Sequence, residues 1–144
     1  MARPQKNRKV HTPPIYTNFK PSGISAKDLE QVILSLDEFE AIRLSDFLGM
    51  SQEEAAVEME ISRPTFTRLI EVARKKLSDF LINGKNLRLE GGNVHFRQNI
   101  IKCEACGHLF HISFNTDIKN CPHCGSTKLI NLAGGFGHGR CCVE

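Results

Sequence analysis

The stretch Ser51-Gln-Glu-Glu-Ala-Ala-Val-Glu-Met-Glu-Ile-Ser-Arg-Pro-Thr-Phe-Thr-Arg-Leu-Ile-Glu-Val-Ala-Arg-Lys-Lys-Leu77 decides how the chain is read. Ser51 with Glu54 has the capping-box spacing, in which hydroxyl and carboxylate satisfy the backbone donors that a helix start leaves open. Ala55, Ala56 and Met59 then give a narrow small-residue face suited to close helix packing. A break of three residues, Glu60-Ile61-Ser62, follows. Arg63-Pro64 opens the next helix, because a proline in the first turn gives up no hydrogen bond. Phe66, Leu69, Ile70, Ala73, Leu77 and Phe80/Leu81 recur at helical steps, and Asn83-Gly84 is a C-cap pair. Two helices joined by so short a turn predict a helix-turn-helix. Ordinary bundle helices share that periodicity. The capping box, the proline at helix entry and the acid-poor second helix favour the DNA-binding form.

A helix reads the major groove only if it projects from its domain and a neighbour braces it. With Phe66, Leu69 and Ile70 turned inward, Arg63, Thr65, Thr67, Arg68 and Glu71 are left outside, near the end that contacts base edges. Arg68 suits a bidentate pair with guanine, and Thr65 or Thr67 a phosphate or a thymine methyl. Arg74, Lys75 and Lys76 lie further along, placed to follow the phosphate backbone without reading sequence.

Residues 1–24 carry Pro4, Pro13, Pro14 and Pro21, basic residues and no apolar period, and read as an extended arm. Its Arg3, Lys6, Arg8 and Lys9 fit phosphates or a minor groove; a solubilising tail would look the same. Residues 25–84 read as the helical domain. Its first helix is expected from Ser25, with Leu29, Val32, Ile33 and Leu36 as its apolar face. A second is expected from Asp37 with Glu40 as capping partner, ending at Gly49. Residues 85–100 alternate around Gly91-Gly92 and predict a β-hairpin. Residues 101–130 hold paired cysteines, and 131–144 form a glycine- and cysteine-rich tail. The expected fold class is therefore mainly α: a helix-turn-helix domain, then a hairpin, then a small zinc-ribbon-like β module.

A net charge of +3 over 144 residues would not suggest nucleic acid, but its distribution does. Met1 to Lys27 holds six bases and no acid, Asp28 to Glu60 ten acids and one base, and Arg63 to Arg88 seven bases and two acids. Such segregation predicts one basic and one acidic face, although solvated helix surfaces would produce it too. The acidic helices are expected to point away from DNA, towards solvent or a protein such as RNA polymerase. No apolar run is as long as a membrane span and none has the form of a secretory signal. The expectation is a cytoplasmic, non-membrane protein with reduced thiols.

The block from Leu36 through Leu77 resembles region 4 of sigma-70-type factors. The opening Met1-Ala-Arg-Pro, the Phe19-Lys-Pro element and Glu53-Glu-Ala-Ala with Ile61-Ser-Arg-Pro-Thr-Phe resemble a prokaryotic family known as domain of unknown function 134, regarded as predicted DNA-binding proteins. That resemblance covers about the first 92 residues and implies a DNA-binding regulator. Two features depart from it. Glu60 stands where many helix-turn-helix turns carry glycine, and the N-terminal arm lacks the cysteines common in the family.

Cys103-Glu-Ala-Cys106-Gly and Cys121-Pro-His-Cys124-Gly are separated by 14 residues. Each pair predicts a tight knuckle, with Gly107 and Gly125 letting the backbone turn toward the sulfurs. Four thiolates at this spacing suit a closed, structural zinc site, Cys103, Cys106, Cys121 and Cys124. An iron centre of rubredoxin type uses the same ligands. Four lost protons and one Zn2+ would take the net charge from +3 to +1. His108, His111 and His123 flank a shell the cysteines already complete. In the tail, His138, Cys141 and Cys142 suggest a second metal or an oxidation sensor, against which stand the awkwardness of adjacent cysteines as joint ligands and the looseness of a glycine-rich segment.

The expected function is a sequence-specific DNA-binding transcriptional regulator with a structural zinc site made of four cysteines. Double-stranded DNA is the partner, and a second copy of the chain a candidate one. The alternatives are a metal- or redox-responsive sensor acting through the tail, and a zinc-ribbon adaptor without DNA contact. No Ser/His/acid set, paired carboxylates or open metal position points to an enzyme.

Overall fold

Val32 and Leu34 are buried while Gln31 and Ile33 are exposed, the alternation of a half-covered strand. The computed structural model, which describes residues 8–142, builds β3 (Gln31–Leu34) there. The helix expected from Ser25 is reduced to one 3-10 turn, Ala26–Asp28. Short apolar runs fit either period, and here the pairing of β3 with β4 (Asn86–Leu89) prevails. The two strands run parallel, with Val32 opposite Leu87 and Leu34 opposite Leu89. Parallel neighbours need a long crossover, and the helices supply it. Short β2 (Asn18–Phe19) completes the sheet antiparallel to β4, in the order β2-β4-β3.

Within the crossover, α1 (Leu36–Ile42) is capped by a full capping box of Ser35 and Glu38, not by the expected Asp37 and Glu40. Asp37 is buried in the first turn, where it accepts from Ser35, the Glu38 N–H and Arg8. A π-helical turn, Arg43–Phe47, and Gly49 at φ 74° lead to Ser51, the N-cap of α2 (Gln52–Met59). Ser62 caps α3 (Arg63–Asn83), and Gly84 at φ 63° ends it.

Two apolar clusters hold these elements. Ala41, Leu44, Ala55, Ala56, Met59, Phe66, Leu69 and Ile70 pack the helices on one another. Val32, Leu34, Leu87 and Leu89 pack the sheet on Ala73, Leu77 and Phe80 of α3.

The mainly-α expectation is therefore wrong. Among the described residues helix makes up 38% and strand 21%. The predicted hairpin is absent too. β4 bonds β3 and β2, while β5 (Val94–Phe96) bonds β1 (Arg8–Val10). Gly91 at φ 81° and Gly92 at φ 96° do turn the chain, but β3 offers β4 a longer apolar partner than β5 does.

The chain divides into two compact units. One comprises the described part of Met1–Lys9 with Tyr16–Val94; the other comprises Val10–Ile15 with the described part of His95–Glu144. The second is built on an antiparallel sheet, order β7-β6-β8, of β6 (Asn99–Cys103), β7 (Leu109–Ile112) and β8 (Leu129–Asn131). Among the described residues no helix is long and apolar enough to cross a membrane.

Candidate functional site

The turn between α2 and α3 sets the direction of α3. Glu60 takes φ 57°, ψ 44°, the one non-glycine residue in the left-handed region among those described. Its N–H reaches the Val57 carbonyl at 3.1 Å, and the Ile61 N–H reaches Ala56 at 3.0 Å. Ile61 then packs against the helical core, and the Ser62 hydroxyl accepts from the Thr65 N–H at 3.3 Å.

This start fixes which side chains α3 shows. Phe66, Ile70 and Ala73 are wholly buried and Leu69 nearly so. Arg63, Arg68, Arg74 and Lys75 are exposed, and Thr65, Thr67 and Lys76 are half-buried. Thr65 and Thr67 are bound within their own unit: the Thr65 hydroxyl meets Ser62 at 2.8 Å, and that of Thr67 donates to Gln52 and meets the Arg63 carbonyl at 3.1 Å.

Several expected cations are engaged by acids the sequence reading set aside. Arg63 bonds Glu53 at 2.8 Å, Arg74 grips Asp46 through two contacts at 2.8 and 3.1 Å, and Lys76 bonds the buried Glu38 at 2.7 Å. The Arg74 guanidinium holds the Asp46 carboxyl below its usual range. Arg68 and Lys75 stand outside these pairs, two helical turns apart on one face. In the arm, Arg8 is paired with Asp37 and Lys9 is half-buried; Arg3 and Lys6 lie outside the described residues. The charge runs, read separately, did not reveal this pairing. Only the packing of α1, the π turn and α2 beside α3 does.

In the second unit the two knuckles form as their glycines require. The Gly107 N–H bonds the Cys103 carbonyl and the Gly125 N–H the Cys121 carbonyl, each at 2.8 Å, with both glycines at φ 77°. The four sulfurs converge, with Cys103 and Cys124 3.6 Å apart and Cys106 and Cys121 3.7 Å apart. Four thiolates ~2.3 Å from a tetrahedral ion stand ~3.8 Å from one another, so the residues present fit such an ion and can hold one.

The four thiols also shift one another's ionisation. Burial pushes Cys121 up, but the backbone N–H groups of Cys124 and His123 and the neighbouring sulfurs outweigh it and bring the thiol to about 6. The Cys106 N–H leads in lowering Cys103. The His108 N–H pulls Cys106 down, yet burial and the other three sulfurs push it up to about 12. Cys124 rises for similar reasons against the Ser126 N–H. Cys103 and Cys121 are thus lowered while Cys106 and Cys124 are raised, and a cation among the four sulfurs would favour the thiolate form of each. His108 and His123 stack at 5.3 Å beside the sulfurs.

The family described as protein of unknown function DUF134 matches residues 1–97. A UPF0251 protein of Chloroherpeton thalassium is 46% identical over 143 residues, covering 97% of this chain and 95% of its own. Another, from Halothermothrix orenii, is 46% identical over 132 residues, 89% of this chain and 98% of its own. A third, from Moorella thermoacetica, is 43% identical over 141 residues, 98% of this chain and 93% of its own. No solved structure matches.

Proposed function

The chain belongs to the DUF134 family of proteins of unknown function, and from that premise we propose that it is a sequence-specific DNA-binding transcriptional regulator. In this reading α3 enters the major groove, and the second unit is a zinc ribbon whose Cys103, Cys106, Cys121 and Cys124 hold a structural ion. One observation carries it: α3 leaves the turn at Glu60 with Phe66, Leu69, Ile70 and Ala73 buried and with Arg68 and Lys75 exposed along one outer stripe. Arg68 lies near the N-terminal end, where such helices meet base edges, and Lys75 lies where the phosphate backbone would pass. With four protein sulfurs in the shell, the ion has no open position for a substrate, so its contribution is folding energy rather than catalysis.

Selection of bound sequences from random duplexes, using zinc-loaded protein, tests the reading. A defined motif should be enriched. Arg68→Ala should weaken binding to that motif by ~1–3 kcal/mol and relax its preference at one position. Lys75→Ala should weaken all sequences alike and lower the salt slope by ~1. No enrichment, or an Arg68→Ala variant with unchanged affinity and preference, overturns the reading.

A further inference from the structure

A second group of metal-ligating side chains lies wholly in the second unit, apart from the cysteine knuckles. His95, His138, Cys141 and Cys142 bring two ring nitrogens and two sulfurs within 4.8 Å of one another. We propose that these four residues are a second metal site, taking one Zn2+ in a shell of two histidines and two cysteines. Two imidazoles with two thiolates are a donor set this ion favours.

Four of the six donor–donor separations lie within about half an ångström of the edges of such a shell. His138 Nδ1 lies 3.1 Å from Cys141 Sγ and 3.4 Å from Cys142 Sγ, and His95 Nδ1 lies 3.8 Å from Cys142 Sγ. The sulfurs of Cys141 and Cys142 are 3.7 Å apart. An ion ~2.0–2.1 Å from nitrogen and ~2.3 Å from sulfur has tetrahedral edges of ~3.5 Å between unlike donors and ~3.8 Å between sulfurs. A disulfide would bring the sulfurs to ~2.0 Å, and both cysteines are free thiols.

The surroundings show the site to be built rather than incidental. The Phe96 N–H donates to Cys142 Sγ at 3.3 Å, as the His123 N–H does to Cys121 Sγ at 3.3 Å in the first cluster. Asn99 fastens the chain leading to the tail, accepting from the Ala133 N–H at 3.1 Å and donating to Asn131 at 2.6 Å. The His138 N–H returns to the Ala133 carbonyl at 3.0 Å after Gly137 turns at φ 78°. Phe96 meets the edge of the His138 ring at 5.0 Å. A 3-10 turn over Arg140–Cys142 lets adjacent cysteines aim at one point, with Cys142 buried and Cys141 exposed. Donors fixed in advance leave little ordering to be done on binding. The ion would replace two thiol protons, released to solvent, and would tie the tail to β5 across 47 residues.

Metal content of the full chain, purified reduced with zinc and freed of loosely held ion, decides the matter. The wild type should carry about two ions per chain. Cys141→Ala and His138→Gln, whose side chains are exposed or half-exposed, should each carry about one while far-ultraviolet circular dichroism stays unchanged. With Co2+ in place of zinc, both variants should keep the tetrathiolate absorption of the first cluster and lose the mixed nitrogen–sulfur component. About one ion in the wild type, no loss in either variant, or a Cys141–Cys142 disulfide in the metal-loaded protein overturns the assignment. DNA selection reads neither quantity, so this proposal and the regulator reading fail separately.

Discussion

Glu60→Gly should make the first unit more stable, and the size of the gain follows from the turn. Holding an L-residue in the left-handed region costs ~1–2 kcal/mol, and Glu60 sits there at φ 57°. Glycine removes that cost but adds ~0.4–1 kcal/mol of backbone entropy to the unfolded chain. The carboxylate is a separate matter, because it lies at the C-terminus of α2, where negative charge opposes the helix dipole. Glu60→Ala isolates this effect: it removes the carboxylate and keeps the Cβ. The difference between the glycine and alanine variants is therefore the backbone contribution alone, ~0.5–1 kcal/mol in favour of glycine. In a unit of this size that separates their melting points by about 3–6 °C. Among the described residues all three α-helices lie in the first unit, so the melt of the helical signal at 222 nm reports it directly. A glycine variant no more stable than the alanine variant would refute the account of the turn.

Phe66 is fully buried at the junction of the helical core, so Phe66→Ala should cost ~3–5 kcal/mol in urea unfolding followed at 222 nm; a loss below ~1 kcal/mol would contradict that packing. Asp46→Asn should release Arg74 at little cost, since an exposed pair contributes under ~1 kcal/mol. If α3 binds DNA, the variant should bind mixed-sequence duplex more tightly, with a salt slope steeper by ~1 in titrations at several ionic strengths. The Asp46 carboxyl is lowered in the folded chain, so the pair's stabilisation is present at neutral pH and lost as pH falls through that lowered value. In Asp46→Asn this acid-side decline should shrink; an identical decline in both proteins would count against the pair. If the four cysteines hold a metal, chelation, or Cys121→Ser, should expose the second unit to protease while the helical signal persists, because the ion would supply much of the folding energy of so small a unit. A resistant second unit after metal removal would contradict this.

Features fixed by local chemistry were legible in the sequence. Ser51, the proline at the start of α3, the Asn83-Gly84 stop and the glycines after each cysteine pair act within a few residues of their own position and cap, start, stop or turn the chain there, although Glu54 accepts from the Ser51 hydroxyl instead of completing the expected box. The unusual turn at Glu60 was visible as a departure from a common pattern. What escaped were features set by distant partners. Residues 31–34 are a strand because β4, more than fifty positions away, lies beside them; their apolar residues alone fit a helix as well. Ser35, not Asp37, is the cap: Asp37 already lies in the first turn, and one of its partners, Arg8, comes from far along the chain. Nothing local to His95, which lies in the stretch of alternating residues after Gly91-Gly92, ties it to a cysteine 47 residues onward.

The segregated charge gains a different meaning from these contacts. Acids between Asp28 and Glu60 do not form a face remote from α3; Glu38, Asp46 and Glu53 each hold one of its cations. These pairs differ in their openness to exchange. The Glu38 carboxylate is buried, with side-chain exposure of 7%, and accepts from both Lys76 and the cap at Ser35. Freeing Lys76 would leave a buried charge short of a partner, so that lysine is a structural residue. Arg63–Glu53 and Arg74–Asp46 are exposed on both sides, where solvent weakens the attraction. A phosphate offers arginine the same planar bidentate recognition as a carboxylate, so duplex backbone could displace Asp46 from Arg74 without uncovering the core. If α3 binds DNA, its basic contribution should accordingly be graded, with Arg68 and Lys75 acting first, Arg63 and Arg74 after exchange, and Lys76 least. Substituting Lys76 should therefore lower stability rather than alter the salt slope of DNA binding, the reverse of what Lys75 should do.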